Sequence, residues 1–367
     1  LSDIKFFYAD GAGSQFLLVQ SENPQNFGEI LMNWNLLVEN AICNKPPTKD
    51  ESLALLGLPD EETLPLIDAA WRVRRAFFGN KVKVNVLLNA KSGFCPEDCG
   101  YCSQSRHASS EIARYPMLDP MEMVEKAREA YKAGAHRFCI VTATRGPTWR
   151  DIERVAEATK HIKAELPMEV CACLGLIDDP EKAHALKRAG VDAYNHNLNT
   201  SSARYGEITT THSYADRIKT ISAVKEAGIS LCSGVIIGMG ETDEEIVELA
   251  YALRELEADS IPVNFLIPIH GTPLGDGHTV KNLTPWRCLR VLSVFRLINP
   301  RAELRASAGR EIHLRSLQPL AMLIANSLFL GDYLTEKGQA AEADWSMLRD
   351  LGLEPILERT CEKDENT

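Results

Sequence analysis

The chain has 367 residues, 45% hydrophobic and 25% charged, the composition of an ordinary globular protein able to bury one large core or two smaller ones. Its formal net charge of −11 excludes a general phosphate-backbone binder, which needs dense lysine and arginine, so small molecules and not nucleic acid are the expected partners. No apolar run reaches bilayer-spanning length, and Leu1 to Asp10 show no basic, apolar and small-residue leader pattern, which predicts a soluble, cytoplasmic protein with no membrane partner.

Residues 1–45 have mixed character and close on the breaker Asn44-Lys45-Pro46-Pro47, so they are expected to be a poorly ordered N-terminal extension. A helical lead-in is expected over 46–80, amphipathic from Asp50 to Phe78. From Lys81 onward short apolar segments alternate with helical ones, the pattern of βα units feeding a parallel sheet. Strands are predicted at Val82 to Leu88, Arg137 to Thr144, Met168 to Leu174, Ala193 to Asn199, Ser230 to Ile237, Ser260 to Ile269, Glu303 to Ser307 and Ser327 to Leu330. Asp119-Pro120, Asp179-Pro180 and Thr284-Pro285 read as helix starts, and Thr242-Asp243-Glu244-Glu245 as a capping box. Gly134, Gly190 and Gly228 sit where helices should stop. Eight strands alternating with helices over roughly 250 residues predict an α/β fold, a TIM-type (β/α)8 barrel over 81–355 with its chemistry at the C-terminal ends of the strands. The charged tail, 356–367, is expected to be solvated.

Ten cysteines grouped around motifs fit thiolate chemistry in a reducing compartment better than a disulfide scaffold. Cys43, Cys288 and Cys361 lie outside the motifs. In Phe94-Cys95-Pro96-Glu97-Asp98-Cys99-Gly100-Tyr101-Cys102, the loop after the first strand, the spacing C-x3-C-x2-C offers three thiolates and no nearby fourth. A structural zinc site closes with four protein ligands, and a four-iron cluster kept for electron transfer uses four cysteines, so three ligands leave one iron open to a small molecule. A zinc knuckle or a disulfide pair is the plainer alternative. The spacing, with an aromatic residue before the third cysteine, resembles the signature of radical S-adenosylmethionine (SAM) enzymes. That resemblance implies a 4Fe-4S cluster chelated by SAM through its amino and carboxylate groups, and reductive cleavage to a 5′-deoxyadenosyl radical.

Strand periodicity points to a second thiol set, since side chains at i and i+2 share a face. Cys171 and Cys173 share one on the third strand; Cys139 and Cys232 lie on the second and fifth, and Arg305 on the seventh could also turn inward. One buried cysteine is usually a small apolar residue, but three strands converging behind the cysteine loop favour a second iron-sulfur cluster. Here the sequence resembles the biotin synthase family. The likeness is carried by Gly93 to Cys102, Arg137-Phe138-Cys139, Tyr194-Asn195-His196-Asn197-Leu198, Cys232-Ser233-Gly234 and Ser307-Ala308-Gly309-Arg310-Glu311, in family order, and runs from about Asp50 to Leu353.

The resemblance implies a sulfurtransferase that converts dethiobiotin to biotin, the last step of biotin biosynthesis. Cys95, Cys99 and Cys102 would hold the 4Fe-4S cluster, and Cys139, Cys171, Cys232 and Arg305 an auxiliary 2Fe-2S cluster that supplies the sulfur. Guanidinium is normally protonated and offers no acceptor, so an arginine ligand comes from the family alone. Cys173 is the candidate extra ligand: with Cys139, Cys171 and Cys232 it would support a larger cluster without Arg305. The run Gly234 to Glu241 matches the G-x-I-x-G-x-x-E element of these barrels, which implies adenine contact through Gly234, Ile236, Gly238 and Glu241 of SAM's site. Asn195, Asn197 and Asn199 alternate along the fourth strand and need amide partners if buried, which a ureido ring would supply. The family resemblance sets Asn197 and Asn264 at the ureido group of dethiobiotin with Asn195 nearby. It sets Asn199, where relatives carry aspartate, at the SAM ribose. Thr142 to Arg145 are expected to reach SAM; His196 and His270 receive no role. Implied partners are a low-potential electron donor such as flavodoxin or ferredoxin, and iron-sulfur assembly proteins; a homodimer is expected by analogy. Other readings are a different radical SAM enzyme with an auxiliary cluster, or a non-catalytic iron-sulfur carrier.

Overall fold

The structure is a computed structural model that describes residues 4–11, 14–21, 29–276 and 283–356. The chain opens with β1 (Ile4–Gly11), β2 (Ser14–Ser21) and β3 (Glu29–Asn33), an antiparallel meander, and then α1 (Trp34–Ile42). Part of the expected extension is therefore packed structure: α1 buries Leu37, Val38 and Ala41 in the main core. The lead-in consists of α2 (Lys49–Leu56), capped by a Thr48–Glu51 box, and α3 (Thr63–Phe78).

The barrel then alternates strands with helices, with paired helices at two of the connections. Its elements are β4 (Lys81–Lys91), α4 (Pro120–Lys132), β5 (Arg137–Thr142), α5 (Trp149–Glu165), β6 (Glu169–Cys173), α6 (Pro180–Ala189) and β7 (Ala193–Asn195). There follow α7 (Tyr205–Ile208), α8 (Tyr214–Glu226), β8 (Ser230–Cys232), β9 (Val235–Ile237), α9 (Asp243–Glu255), β10 (Ser260–Phe265) and α10 (Pro285–Ile298). The last elements are β11 (Glu303–Ala306), α11 (Arg310–Leu314), α12 (Gln318–Ile324), β12 (Ser327–Phe329), α13 (Ala341–Asp350) and β13 (Glu354–Pro355). The strands pair in parallel around the ring, and the β10–β11 and β12–β4 ladders close it. All eight predicted strands are present. The fifth is broken into β8 and β9 at Ser233-Gly234, where a Cβ on Gly234 would meet the Pro262 carbonyl oxygen at 1.9 Å; only glycine admits that approach. The tail beyond Ile356 lies outside the described residues.

Local chemistry explains the boundaries. Asp119, Asp179 and Thr284 cap helices whose first residue is proline, Thr242 forms its box with Glu245, and Gly190 ends α6 in a left-handed conformation. Every residue of β5 is buried, as expected of a strand covered on both faces. No helix among the described residues is long and apolar enough to cross a membrane.

Arg74 of α3 ties the lead-in to the barrel. Fully buried, it donates to the carbonyl oxygens of Ala325 (3.3 Å), Lys81 (2.9 Å) and Gly79. Replacing Arg74 by leucine would leave three carbonyls without their charged donor, at a cost of about 3 kcal/mol. Urea unfolding of the variant against the parent measures this; an unchanged midpoint would contradict it.

Candidate active site

One cavity of ≈380 Å³ opens at the C-terminal mouth of the barrel, and both thiol sets reach it: Cys95, Cys99 and Cys102 above, Cys139, Cys171, Cys173 and Cys232 below. All nine cysteines among the described residues are free of disulfides. The upper three sit on the loop that follows β4. Burial pushes the Cys95 thiol up to about 11 and the Cys102 thiol up to about 12, so any metal centre held by them would have to displace those protons. Among the described residues no three His, Cys, Asp or Glu side chains close on a single ion.

The loop is pinned from a distant segment, Thr209 to His212. The Asp98 carboxylate accepts from Thr209 Oγ1 (2.6 Å), Thr210 N (2.9 Å) and Thr211 N (3.3 Å). Burial alone would raise this carboxyl, but those donors outweigh it and hold it well below the usual carboxylate range. Glu97, also buried, accepts from Arg145 Nη1 (3.0 Å), Thr211 Oγ1 (2.5 Å) and His212 Nδ1. Beyond His212 lies Arg217 of α8, whose partners are the His212 Nε2 (2.9 Å), the Asn197 carbonyl oxygen (3.0 Å) and the Tyr205 hydroxyl. No carboxylate stands within ion-pair distance of Arg217 among the described residues, and its positive charge acts on Cys99. A buried cation without a counter-charge on the wall of a cavity is a site for an anionic ligand group.

Below, the barrel floor is layered by strand periodicity. Arg137, Glu169 and Glu303 lie two residues before Cys139, Cys171 and Arg305 on β5, β6 and β11, so each pair shares a face. The lower layer is an ion network. Arg137 meets Glu169 at 2.7 Å and Glu303 at 3.1 Å, and Lys83 of β4 meets the same two at 3.1 and 3.3 Å. The upper layer is the thiol trio: Cys139 lies opposite Cys171 on the β5–β6 ladder, and both line the cavity with Cys232. Proton sharing with Cys171, together with the guanidiniums of Arg305 and Arg137, holds Cys139 and Cys232 below the ordinary thiol range and pushes Cys171 well above it. Arg305 is anchored by Glu303 (2.5 Å), Ser260 Oγ (3.0 Å) and Ser327 Oγ (3.0 Å), and turns Nη1 to Cys232 Sγ at 3.9 Å. Cys173 is joined to Cys232 through Asn195: its Sγ lies 3.4 Å from Asn195 Oδ1, while Asn195 Nδ2 lies 3.1 Å from Cys232 Sγ.

The asparagines reach the cavity differently from the sequence expectation. β7 ends at Asn195, and Asn199 has a positive φ of 67°, so Asn197 and Asn199 come from the loop after the strand and not from strand alternation. Their amides also find partners within the protein. Asn197 Oδ1 accepts from Gly234 N and Asn195 Nδ2, both at 3.0 Å, and Asn199 Nδ2 donates to the Tyr101 hydroxyl at 2.7 Å. Asn264 donates to the Val235 carbonyl oxygen (3.0 Å) and accepts from Ala308 N (3.3 Å). Ile236 and Thr142 to Arg145 line the cavity; Gly234, Gly238 and Glu241 do not. Glu241 accepts from Gly238 N (2.5 Å) and Met239 N (2.9 Å), shaping the turn from beneath. His196 is buried on the wall with Nε2 unpartnered among the described residues. Sequence reasoning missed Glu97, Thr209 to His212 and Arg217; the polar run Thr209-Thr210-Thr211-His212 before a helix was the available signal.

Comparison with known proteins agrees with this geometry. Residues 90–252 match the radical SAM superfamily, and 262–354 the Biotin and Thiamin Synthesis associated domain. The biotin synthase of Halalkalibacterium halodurans is 51% identical over 323 residues, covering 88% of this chain and 96% of its own. That of Thermus thermophilus is 52% identical over 330 residues, covering 90% and 100%. Among solved structures, methylornithine synthase (PylB) has a TM-score of 0.74 at 22% identity, covering 87% of this chain and 97% of its own, a likeness of fold. With a shared barrel, both domain matches in order and half of all residues identical along nearly the whole length, the chain belongs to the biotin synthase family.

Proposed function

We propose that the two thiol layers are the two working centres of this biotin synthase: Cys95, Cys99 and Cys102 hold a 4Fe-4S cluster, and Cys139, Cys171 and Cys232 with Arg305 hold a 2Fe-2S cluster that is the sulfur source. Dethiobiotin and SAM occupy the cavity between them. When bound, the upper cluster supplies the electron that cleaves SAM, and the lower one supplies the sulfur. The observation that carries this reading is the single cavity joining both thiol sets, with Cys171 and the Arg305 and Arg137 guanidiniums lowering the Cys139 and Cys232 thiols toward thiolate.

The chain's own residues divide the remaining work. Arg217 offers its charge to the SAM carboxylate, Tyr101 and Asn199 form a joined polar edge for the ribose, and Ile236 gives the adenine an apolar wall. Asn195 and Asn197 form the polar side toward the ureido ring, with Asn264 fixing the neighbouring backbone. The low-potential donor is an electron carrier such as flavodoxin or ferredoxin, and the clusters are delivered by iron-sulfur assembly proteins. Anaerobic reconstitution followed by incubation with SAM, reductant and dethiobiotin tests the assignment: biotin and 5′-deoxyadenosine are expected together, and 5′-deoxyadenosine without biotin would move the lower layer to another task.

Asn197→Ala isolates the substrate side. With both clusters loaded, dethiobiotin affinity is expected to fall about tenfold or more, the worth of one or two buried hydrogen bonds. Equilibrium dialysis with labelled dethiobiotin measures it; unchanged binding with intact clusters would remove Asn197 from the substrate site.

A further inference from the structure

His212 sits between two charged groups, and its neighbours determine its proton. Arginine only donates, so the contact from Arg217 Nη2 at 2.9 Å requires His212 Nε2 to accept. The ring proton is therefore on Nδ1, from which it is donated to Glu97. Glu97 lies between two of the cluster-loop cysteines and is itself held by Arg145 and Thr211. Tyr205 takes the Nε of Arg217 and packs edge-on against His212, with ring centroids 5.7 Å apart. The guanidinium is thus gripped on three sides by neutral acceptors, and the Glu97 carboxylate meets the imidazole and not the guanidinium.

We infer that His212, oriented by Glu97, is a positioning residue that aims Arg217 at the SAM carboxylate and keeps its charge available there. The inference rests on the reading of Arg217 as the SAM carboxylate anchor. A carboxylate in place of His212 would neutralise the guanidinium and close the anion site, whereas an apolar residue would leave Nη2 unheld; a neutral acceptor does neither. Because Glu97 belongs to the loop of Cys95 and Cys99, the same chain of bonds registers the anion site against the open iron. Chelation requires that registration, since one SAM molecule must meet both.

The test uses the full chain, anaerobically reconstituted, in three variants. SAM is titrated against the reduced 4Fe-4S cluster and followed by the change in its electron paramagnetic resonance spectrum, with iron content and the SAM-free spectrum as controls. His212→Leu is expected to weaken SAM about tenfold and to raise the KM for SAM but not for dethiobiotin, with iron content unchanged. His212→Gln, which can accept from Arg217 and donate to Glu97, is expected to restore SAM affinity to within about threefold of the parent. Equal SAM affinity in His212→Leu and the parent, no rescue by His212→Gln, an equal rise in both KM values, or loss of iron in both variants would each overturn the inference. Arg217→Ala tests the reading beneath: unchanged SAM affinity there defeats the anchor itself, whereas weakened affinity there with a normal His212→Leu defeats only the role of His212.

Discussion

Changing Cys95, Cys99 and Cys102 together to alanine is expected to abolish both 5′-deoxyadenosine and biotin formation while leaving about two irons per chain. The upper loop and the lower layer share a cavity but not a scaffold. The loop is pinned by Thr209 to His212, whereas the lower thiols stand on β5, β6 and β8 above the Arg137, Glu169 and Glu303 network. Loss of one centre therefore need not disturb the other. Adding Cys173→Ala should not change the residual iron, because the Cys173 thiol is engaged with Asn195. Retention of about four irons, or loss of iron on changing Cys173, would instead make Cys173 a ligand of a larger cluster. Iron quantification with Mössbauer spectroscopy distinguishes these results.

Cys232→Ala is expected to have the converse effect: SAM cleavage continues, and biotin formation falls by at least about a hundredfold, since even outer-shell changes at metal sites reach that size. Cys232 is the thiol that receives Arg305 Nη1 and meets Asn195, so its removal opens the trio on the side nearest the asparagines. Product analysis by mass spectrometry checks it. Parallel loss of 5′-deoxyadenosine would show that the two layers do not act separately.

Local signals carried the fold well. Alternation of apolar segments, cap residues and stop glycines all act within a few residues of one another, so eight strands and several helix ends were legible from Lys81 onward. The break at Ser233-Gly234 was not, because its cause is the Pro262 carbonyl on the neighbouring strand. The thiol layer was legible because period-two alternation brings Cys139 and Cys171 inward. The ion network beneath was not, since Arg137, Glu169 and Glu303 each read as a charged strand start with no visible partner. Glu97 and Arg217 were missed for the same reason. An arginine on an amphipathic helix reads as a solvated face until the fold brings His212 and Tyr205 against it. The asparagine run shows the opposite error: the residues do line the cavity, but the loop carries two of them and the protein itself pairs their amides.

The central claim is that the sulfur of the product leaves the layer built by Cys139, Cys171, Cys232 and Arg305. Reconstitution with 34S-labelled sulfide, removal of unbound sulfide, and a single turnover with SAM and dethiobiotin, with both clusters followed by Mössbauer spectroscopy, measure this directly. Biotin carrying the heavy isotope, with loss of the 2Fe-2S signal and retention of the 4Fe-4S signal, is predicted from the parent and from Cys173→Ala; unlabelled biotin from a fully labelled enzyme, or loss of the 4Fe-4S signal alone, would contradict the account.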